Sequence, residues 1–198
     1  MGAGLDTSRG ELRVTGSLVA NGTTAQPITL TSNGAAANAW YGVNLLPSAT
    51  STSVQFVNID KANYGLYYQA TAASITVHGC TLSTSNYGVY VTSPGSILDA
   101  ITASGNGTGV YYTGGAGGTL SNAVIKNSTN LGVYVSTTSA TNPTLNILNS
   151  TIHANANYGV YVQANSGLST TVNVKNSNVT NQSTGVYRYT SSGSPTVN

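Results

Sequence analysis

Acidic, basic and imidazole side chains, which carry most enzyme chemistry, are scarce in this chain. Its 198 residues include only four Asp or Glu, six Lys or Arg and two His. The four acids are Asp6, Glu11, Asp60 and Asp99. Glycoside hydrolysis needs two neighbouring carboxyl groups, and Ca²⁺ needs a cluster of oxygen ligands. Because Asp60 and Asp99 are separated by about two of the repeats described below, we predict no catalytic residues and no enzymatic activity.

The two histidines and the single cysteine form no cluster in the sequence either. His78 and His153 fall three repeats apart and at different places in the repeat, so we predict two solvated side chains and no metal site. One cysteine excludes an internal disulfide, and we expect Cys80 to be buried. The sequence predicts no cofactor.

Tyrosine, whose phenol can pack on other rings or bind a ligand, is abundant, with 13 copies. Six of them follow a recurring glycine by two residues: Tyr67, Tyr90, Tyr111, Tyr134, Tyr161 and Tyr187. We predict that these phenols form one outward row. Such a row can be a ladder that stabilises the sheet by about 0.5 kcal/mol per neighbouring pair. It can instead be a ligand-binding stripe for a polysaccharide, or a patch that binds a protein.

Two more columns of side chains accompany this row. Asparagine precedes the recurring glycine by two residues at Asn63, Asn86, Asn130 and Asn157, and Asn106 lies one position earlier. We expect these amides to form an asparagine ladder along the repeat axis. The tyrosines directly before the glycine are Tyr41, Tyr64, Tyr87 and Tyr158. They either cover a corner of the coil or form a second, shorter aromatic row.

All these residues belong to a motif that occurs seven times, as in Asn157-Tyr158-Gly159-Val160-Tyr161-Val162. Successive glycines of the motif are 23, 23, 21, 23, 27 and 26 residues apart. A repeat of this length is typical of a solenoid, in which each coil packs only on its neighbours. We expect the repeated glycine to occupy a corner where a Cβ atom would clash.

A second pattern precedes the glycine: two apolar residues five positions apart, as at Ile147 and Ile152. Alternating apolar residues around these positions indicate strands with one buried face, and no stretch shows a helical period. Each coil therefore has about three short strands. The coil around Ile97, Leu98 and Ile101 fits this pattern least well. We predict one buried stack formed by Val43, Leu66, Val89, Val110, Val133, Val160 and Val186.

The repeat Ile147-x4-Ile152-x3-Ala156-x2-Gly159-Val160-x-Val162 resembles that of right-handed parallel β-helix proteins of the pectate-lyase-like superfamily. Residues 16–32, followed by Trp40-x-Gly42-Val43, are similar to the opening coils of bacterial exported members. The resemblance covers about residues 11–198. It implies an all-β, single-stranded right-handed β-helix of about seven to eight coils, each of 21–27 residues. Because that superfamily includes lyases, glycosidases, phage tailspikes and catalytically silent surface proteins, the resemblance specifies fold rather than function.

The amino-acid composition limits the classes of partner that this protein can bind. Only 5% of residues are charged and the net charge is +2, with no basic cluster, which argues against nucleic-acid binding. No apolar run is long enough to span a membrane, and the first residues have no signal-peptide pattern. The resemblance implies an extracellular or cell-surface location in bacteria. We therefore expect a rigid stalk or a recognition and adhesion scaffold within a larger exported protein, or alternatively a carbohydrate-binding or carbohydrate-active β-helix.

The two ends of the sequence suggest a further expectation. Residues 1–10 lack periodicity and are expected to be disordered or derived from expression, whereas residues 11–198 are expected to form one domain. The segment at 194–198 matches the start of a coil at 142–146, so we expect a domain truncated at both ends. Uncapped terminal coils would favour end-to-end association through strand pairing.

Overall fold

The computed structural model describes residues 8–71, 75–139, 141–165, 167–190 and 193–198. Asp6 and the other residues at 1–7 lie outside the described residues. Throughout those ranges the chain consists of strands, turns and loops, with no α-helix, as the periodicity predicts. Accordingly, no described helix is long and apolar enough to cross a membrane.

The strands form three sheets. Sheet 1 contains β1 (Glu11–Val14), β4 (Trp40–Leu45), β7 (Ala62–Tyr68), β10 (Tyr87–Val91), β13 (Thr108–Gly114), β16 (Leu131–Thr137), β19 (Tyr158–Ala164) and β22 (Thr184–Tyr189). Sheet 2 contains β2 (Val19–Asn21), β5 (Thr52–Gln55), β8 (Ile75–His78), β11 (Ser96–Asp99), β14 (Gly118–Ser121), β17 (Thr144–Leu148), β20 (Ser169–Lys175) and β23 (Ser194–Val197). Sheet 3 contains β3 (Ile28–Leu30), β6 (Val57–Asp60), β9 (Thr81–Ser83), β12 (Thr102–Ser104), β15 (Val124–Lys126), β18 (Thr151–His153) and β21 (Asn178–Thr180).

Every strand pairs in parallel with the strand one coil before or after it, so the chain winds as a three-sided parallel β-helix of about seven turns. This confirms the predicted fold and its three short strands per coil. The first coil also has three short strands, β1, β2 and β3. From the second coil on, the loops that connect sheet 1 to sheet 2 range from three residues, at 115–117, to six, at 46–51.

The core is a set of aliphatic columns that run along the axis. Val43, Leu66, Val89, Val110, Val133 and Val160 are at most 1% exposed, which confirms the predicted stack for these six residues. The prediction is wrong for Val186, which is 42% exposed. Val186 lies on β22, and among the described residues no strand pairs with the outer side of β22, so nothing covers its side chain.

Two columns of left-handed residues make the corners on either side of sheet 3. The column between sheets 2 and 3 contains Phe56, Gly79, Ala100, Asn122, Asn149 and Asn176, and the column between sheets 3 and 1 contains Lys61, Thr84, Gly105, Asn127, Ala154 and Asn181. All twelve have φ between 49° and 66°. In each of these six coils the two corner residues are five positions apart, which fixes the length of the short strand between them. Glycine and asparagine tolerate this conformation best, but here Phe, Lys, Thr and Ala also adopt it.

Relieving one of these corners should stabilise the protein. Ala154 has a φ of 52°, and a left-handed conformation costs a residue with a Cβ about 1–2 kcal/mol. We expect Ala154→Gly to raise the free energy of unfolding by about 0.5–1 kcal/mol, since the greater flexibility of glycine offsets part of the gain. Ala156, two residues later and without positive φ, provides the control, and Ala156→Gly should lower stability in the same thermal melts. Equal effects of the two substitutions would contradict this account of the corner.

The repeated glycine of sheet 1 serves close packing rather than a corner conformation. Of the seven motif glycines, only Gly42 has positive φ, at 118°. A Cβ atom at Gly132 would instead lie 2.6 Å from the carbonyl oxygen of Gly159 and 2.9 Å from Ile152 Cγ2. The predicted clash is therefore confirmed, but its source is the neighbouring coil and not a turn.

The coil with the poorest match in sequence is in register in the structure. Leu98 pairs with Val77 and is fully buried, while Ile97 points outward and is 54% exposed. The partner five residues after Leu98 is Ala103, which is also fully buried. The pattern was hidden because alanine takes the place of a larger aliphatic residue and an outward isoleucine precedes Leu98.

Candidate functional site

Sheet 1 carries a continuous surface of tyrosine side chains. Gly65 and Leu66 are both buried, so the residues on either side of them, Tyr64 and Tyr67, both emerge on the outer face. The same arrangement recurs along the sheet. We call the resulting surface the tyrosine face, and it comprises Tyr41, Tyr64, Tyr67, Tyr87, Tyr90, Tyr111, Tyr134, Tyr158, Tyr161 and Tyr187. Tyr41, at one end, is buried.

All six tyrosines predicted as one row are brought together. Tyr67, Tyr90, Tyr111, Tyr134, Tyr161 and Tyr187 occupy one register position of consecutive strands. Their ring centroids follow each other at 5.0, 5.0, 4.4, 5.2 and 5.2 Å. Five of the six are half-buried, and only Tyr187, on β22, is more open, at 37% exposed. The row therefore spans six strands without a gap.

The tyrosines before the glycine form a second row that packs against the first. Tyr41, Tyr64 and Tyr87 contact each other at 5.2 and 5.4 Å, and Tyr64 also lies 4.8 Å from Tyr90. At the register position of Tyr87, the next two coils have Thr108 and Leu131, so this second row is interrupted. Of the two alternatives left by the sequence, the structure shows the aromatic row.

Ring orientation determines what this surface presents. Most neighbouring rings meet edge to face or tilted, and Tyr111 and Tyr134 are stacked with planes only 8° apart. The rings therefore cover much of each other's faces. What they offer to an external partner is mainly ring edges and hydroxyl groups.

Burial makes several phenols of the tyrosine face harder to ionise. Burial, with smaller contributions from neighbouring phenols, raises the pKa of Tyr90 and Tyr161, and it raises the pKa of Tyr41 to about 12. Burial also raises the pKa of Tyr134. The Tyr134 hydroxyl donates a 3.0 Å hydrogen bond to Gln163 Oε1. The hydroxyl groups of Tyr41, Tyr90, Tyr134 and Tyr161 are therefore neutral at pH 7, and that of Tyr134 already has a hydrogen-bond partner.

Amide side chains border the tyrosine face. Asn86 Nδ2 donates to Asn63 Oδ1 at 2.8 Å, and Asn157 Nδ2 donates to Asn130 Oδ1 at 2.7 Å. The register position between these two pairs is held by Gly107, which has no amide to continue the series.

Asn106 does not belong to this border, because it lies inside the coil and is fully buried. Its Oδ1 accepts from Ser85 N at 3.0 Å, and its Nδ2 donates to Leu82 O at 2.9 Å. Asn155 makes the equivalent contacts two coils later.

The sequence did not reveal a polar cluster on sheet 2. His78 Nδ1 lies 2.8 Å from Asp99 Oδ2, while Ser121 Oγ and Asn122 Nδ2 each donate to Asp99 Oδ1 at 2.7 Å. These residues lie on three consecutive coils. The available signal was the 21-residue separation of His78 and Asp99, which is one coil length. Because the Ser121 hydroxyl donates to the carboxylate, its proton is not directed at the imidazole as nucleophilic catalysis would require.

Hydrogen bonding to Asp99 should make stability depend on pH. The bond from Ser121, followed by those from Asn122 and His78, holds the pKa of Asp99 below its usual value, although burial acts in the opposite direction. A lowered folded-state pKa stabilises the fold above the ordinary carboxyl pKa, and this contribution is lost as the pH falls through the folded-state value. We expect Asp99→Asn to lower the melting temperature at pH 7 and to have little effect near pH 2. Ser121→Ala should show the same trend with smaller amplitude, and a pH-independent difference would contradict this origin.

The remaining candidate residues are dispersed. Glu11 pairs with Arg13 at 3.3 Å in the first coil. Asp60 and His153 occupy the same register position of sheet 3 but lie four strands apart, with Ser83, Ser104 and Lys126 between them. Within the described ranges, no group of three or more His, Cys, Asp or Glu could hold a metal ion. Cys80 is buried as predicted, and burial raises the pKa of its thiol.

A shallow groove of about 320 Å³ lies on the loop side of sheet 2. It is lined by residues that include Pro94, Ile97, Gly117, Thr119 and Pro143. These residues carry no charge, so the groove could hold a ligand by its shape but contains no ionisable group.

Comparison with known proteins agrees with this geometry. A family profile described as the right-handed beta helix region matches residues 41–198, which is most of the chain. No curated protein and no solved structure matches the sequence. The match extends over six of the seven coils, including every strand that carries the tyrosine face. The chain therefore belongs to the right-handed β-helix family.

Proposed function

We propose that this β-helix is a non-catalytic scaffold, serving as a rigid stalk or recognition segment of a larger exported bacterial protein. The observation that carries the proposal is that the aromatic, amide and carboxylate side chains mostly contact side chains of the neighbouring coil. Tyrosine rings pack on tyrosine rings, asparagine amides bond asparagine amides, and Asp99 bonds residues of the coils on both sides. Such contacts resist bending between coils, which is what a stalk requires.

The distribution of acids supports the absence of catalysis. Asp60 and Asp99 belong to different sheets, and Glu11 lies in the first coil. Ca²⁺-dependent cleavage of a polyuronate would need clustered carboxylates with a basic residue nearby. We therefore expect no turnover of polyuronates with Ca²⁺, and measurable turnover would overturn this part of the proposal. A low content of charged residues, replaced by Ser, Thr and Asn, supports an extracellular location.

A second candidate function is polysaccharide binding on the tyrosine face. The observation that favours it is the length of the face, which presents a line of hydroxyl groups along the axis. Phenols can bond to sugar hydroxyls, and ring edges can contact the apolar C–H groups of a sugar. A polysaccharide bound in this way would run parallel to the solenoid axis.

Replacing Tyr90, Tyr111 and Tyr134 together by Ser separates the two functions. For a purely structural face, the variant should lose stability in thermal melts, and wild-type protein should show no retardation in affinity electrophoresis with polysaccharides. For a binding face, wild-type protein should be retarded and the variant should not. Ile97→Ser, which changes an exposed side chain on sheet 2, is the control and should alter neither result.

A further inference from the structure

The tyrosine face is free of charged residues over most of its length. The six consecutive strands β4, β7, β10, β13, β16 and β19 contain no Lys, Arg, Asp or Glu. The charged residues that the structure describes lie in the first coil, on β22, or on the faces and corners of the other two sheets: Arg9, Glu11, Arg13, Asp60, Lys61, Asp99, Lys126, Lys175 and Arg188. This uncharged surface restricts the ligands that it can bind.

The dimensions of the surface fit a single extended chain. The tyrosines are half-exposed on the five strands β7, β10, β13, β16 and β19, which at a spacing of about 4.8 Å give a track of about 19 Å. The two rows lie side by side on this track, with ring centroids 5.1 Å apart for Tyr64 and Tyr67 and 5.3 Å apart for Tyr87 and Tyr90. A linear polymer needs only a narrow track with a regular repeat.

We propose that the tyrosine face binds an uncharged, extended polysaccharide along the solenoid axis and discriminates against acidic polysaccharides. This proposal depends on the polysaccharide-binding function described above, and it adds the class of ligand. The rise per coil is close to the length of one pyranose unit in an extended chain. Each unit can therefore meet an equivalent phenol, which a coiled or branched polymer could not do.

Discrimination follows from desolvation. The Arg9 guanidinium lies at one end of the surface, 5.7 Å from the centre of the Tyr41 ring. Farther along, a uronate carboxylate that moves onto β10, β13, β16 or β19 would lose hydration water without gaining a cation, because these strands contain no Lys or Arg. Neutral sugar hydroxyls exchange water for phenol hydroxyls and amides at little cost. Since burial raises the pKa of Tyr90 and Tyr134, the phenols remain neutral donors even in mildly alkaline solution.

The test compares soluble probes of similar length by titration calorimetry and affinity electrophoresis. The neutral probes are β-1,4-linked glucose and mannose oligosaccharides, and the acidic probes are oligogalacturonate and oligoguluronate. We expect the wild-type protein to bind at least one neutral probe at least tenfold more tightly than either acidic probe. Raising the salt concentration from low to high should leave that affinity unchanged.

Two variants test the cause. Replacing Tyr90, Tyr111 and Tyr134 by Phe retains the rings but removes the hydroxyls, and it should weaken neutral binding at least tenfold while circular dichroism shows an intact fold. Thr113→Lys with Gln163→Lys adds two cations beside the rows, at one register position two strands apart. This variant should gain salt-sensitive binding of oligogalacturonate.

The outcomes distinguish the ligand class from the function itself. Equal or tighter binding of the acidic probes would overturn the proposed class but leave polysaccharide binding standing. Absence of binding to all probes, with folded protein, would overturn both the class and the binding function. Neutral binding that survives the Phe substitutions but is lost with Ile97→Ser would place the ligand on sheet 2 and overturn the assignment to the tyrosine face.

Discussion

Val133→Asp is expected to eliminate cooperative folding of the central coils. Val133 is completely buried on β16, with Val110 and Val160 as its register partners on either side. The substitution removes about 1.5–3 kcal/mol of burial and adds several kcal/mol for an unpaired buried carboxylate. The sum is comparable to the whole stability of an ordinary domain, about 5–15 kcal/mol. Since each coil is stabilised by its neighbours, the adjacent coils should unfold with it.

The same residue type at the same register position provides a matched control. Val186 is 42% exposed on β22, so Val186→Asp places its carboxylate at the surface and should change the melting temperature by only a few degrees. Far-ultraviolet circular dichroism during heating measures both variants. A wild-type melting curve for Val133→Asp, or equal destabilisation by the two substitutions, would contradict the assignment of this column as the core.

Gly132→Val is expected to destabilise the protein by at least about 2 kcal/mol, towards the upper part of the range for overpacked sites. The Cβ atom would lie 2.6 Å from Gly159 O and 2.8 Å from Asn155 Nδ2. Backbone cannot move away by a change of rotamer, and Asn155 is held by its own hydrogen bonds to Ser128 and Ile125. The next coil must therefore shift outward, which lengthens the hydrogen bonds between β16 and β19.

Gly185 occupies the corresponding position of the last motif and serves as the control. The nearest atoms to a Cβ atom there are at 3.7 and 3.9 Å, both in Val179, so Gly185→Val meets only ordinary contacts. We expect its melting temperature to stay close to the wild-type value. If both glycine substitutions prove equally harmless in urea titrations, the close approach of coils does not explain the recurring glycine.

The fold was predictable because its determinants are periodic in the sequence. Val160 and Val162 alternate with Tyr161, and this pattern returns in each coil, so strand, buried face and outward tyrosine all follow from a short local rule. Parallel stacking then places equivalent residues next to each other. The six-tyrosine row follows from these two facts without any knowledge of the structure.

The corners and the sheet 2 cluster were not predictable, for different physical reasons. Phe56, Lys61 and Ala154 adopt left-handed conformations because the coil around them requires it, and their residue types give no indication of this. Asn106 was aligned with the outward asparagines, but a shift of one position turns its side chain to the opposite face of the strand. His78 and Asp99 are adjacent because they are register partners on β8 and β11, and this register was not assigned from the sequence.

The constant five-residue separation of the two corners makes each coil an interchangeable unit of length. From the second coil on, most of the variation in length lies in the loops between sheets 1 and 2, while the arc through sheet 3 has the same residue count in every coil that carries both corners. A duplicated copy of residues 127–153, inserted after residue 153, would therefore supply a complete coil whose corner and strand positions match those of its neighbours. Each such duplication would lengthen the molecule by about 4.8 Å. Gene duplication can thus set the reach of this protein in steps of one coil, independently of the chemistry on its surface.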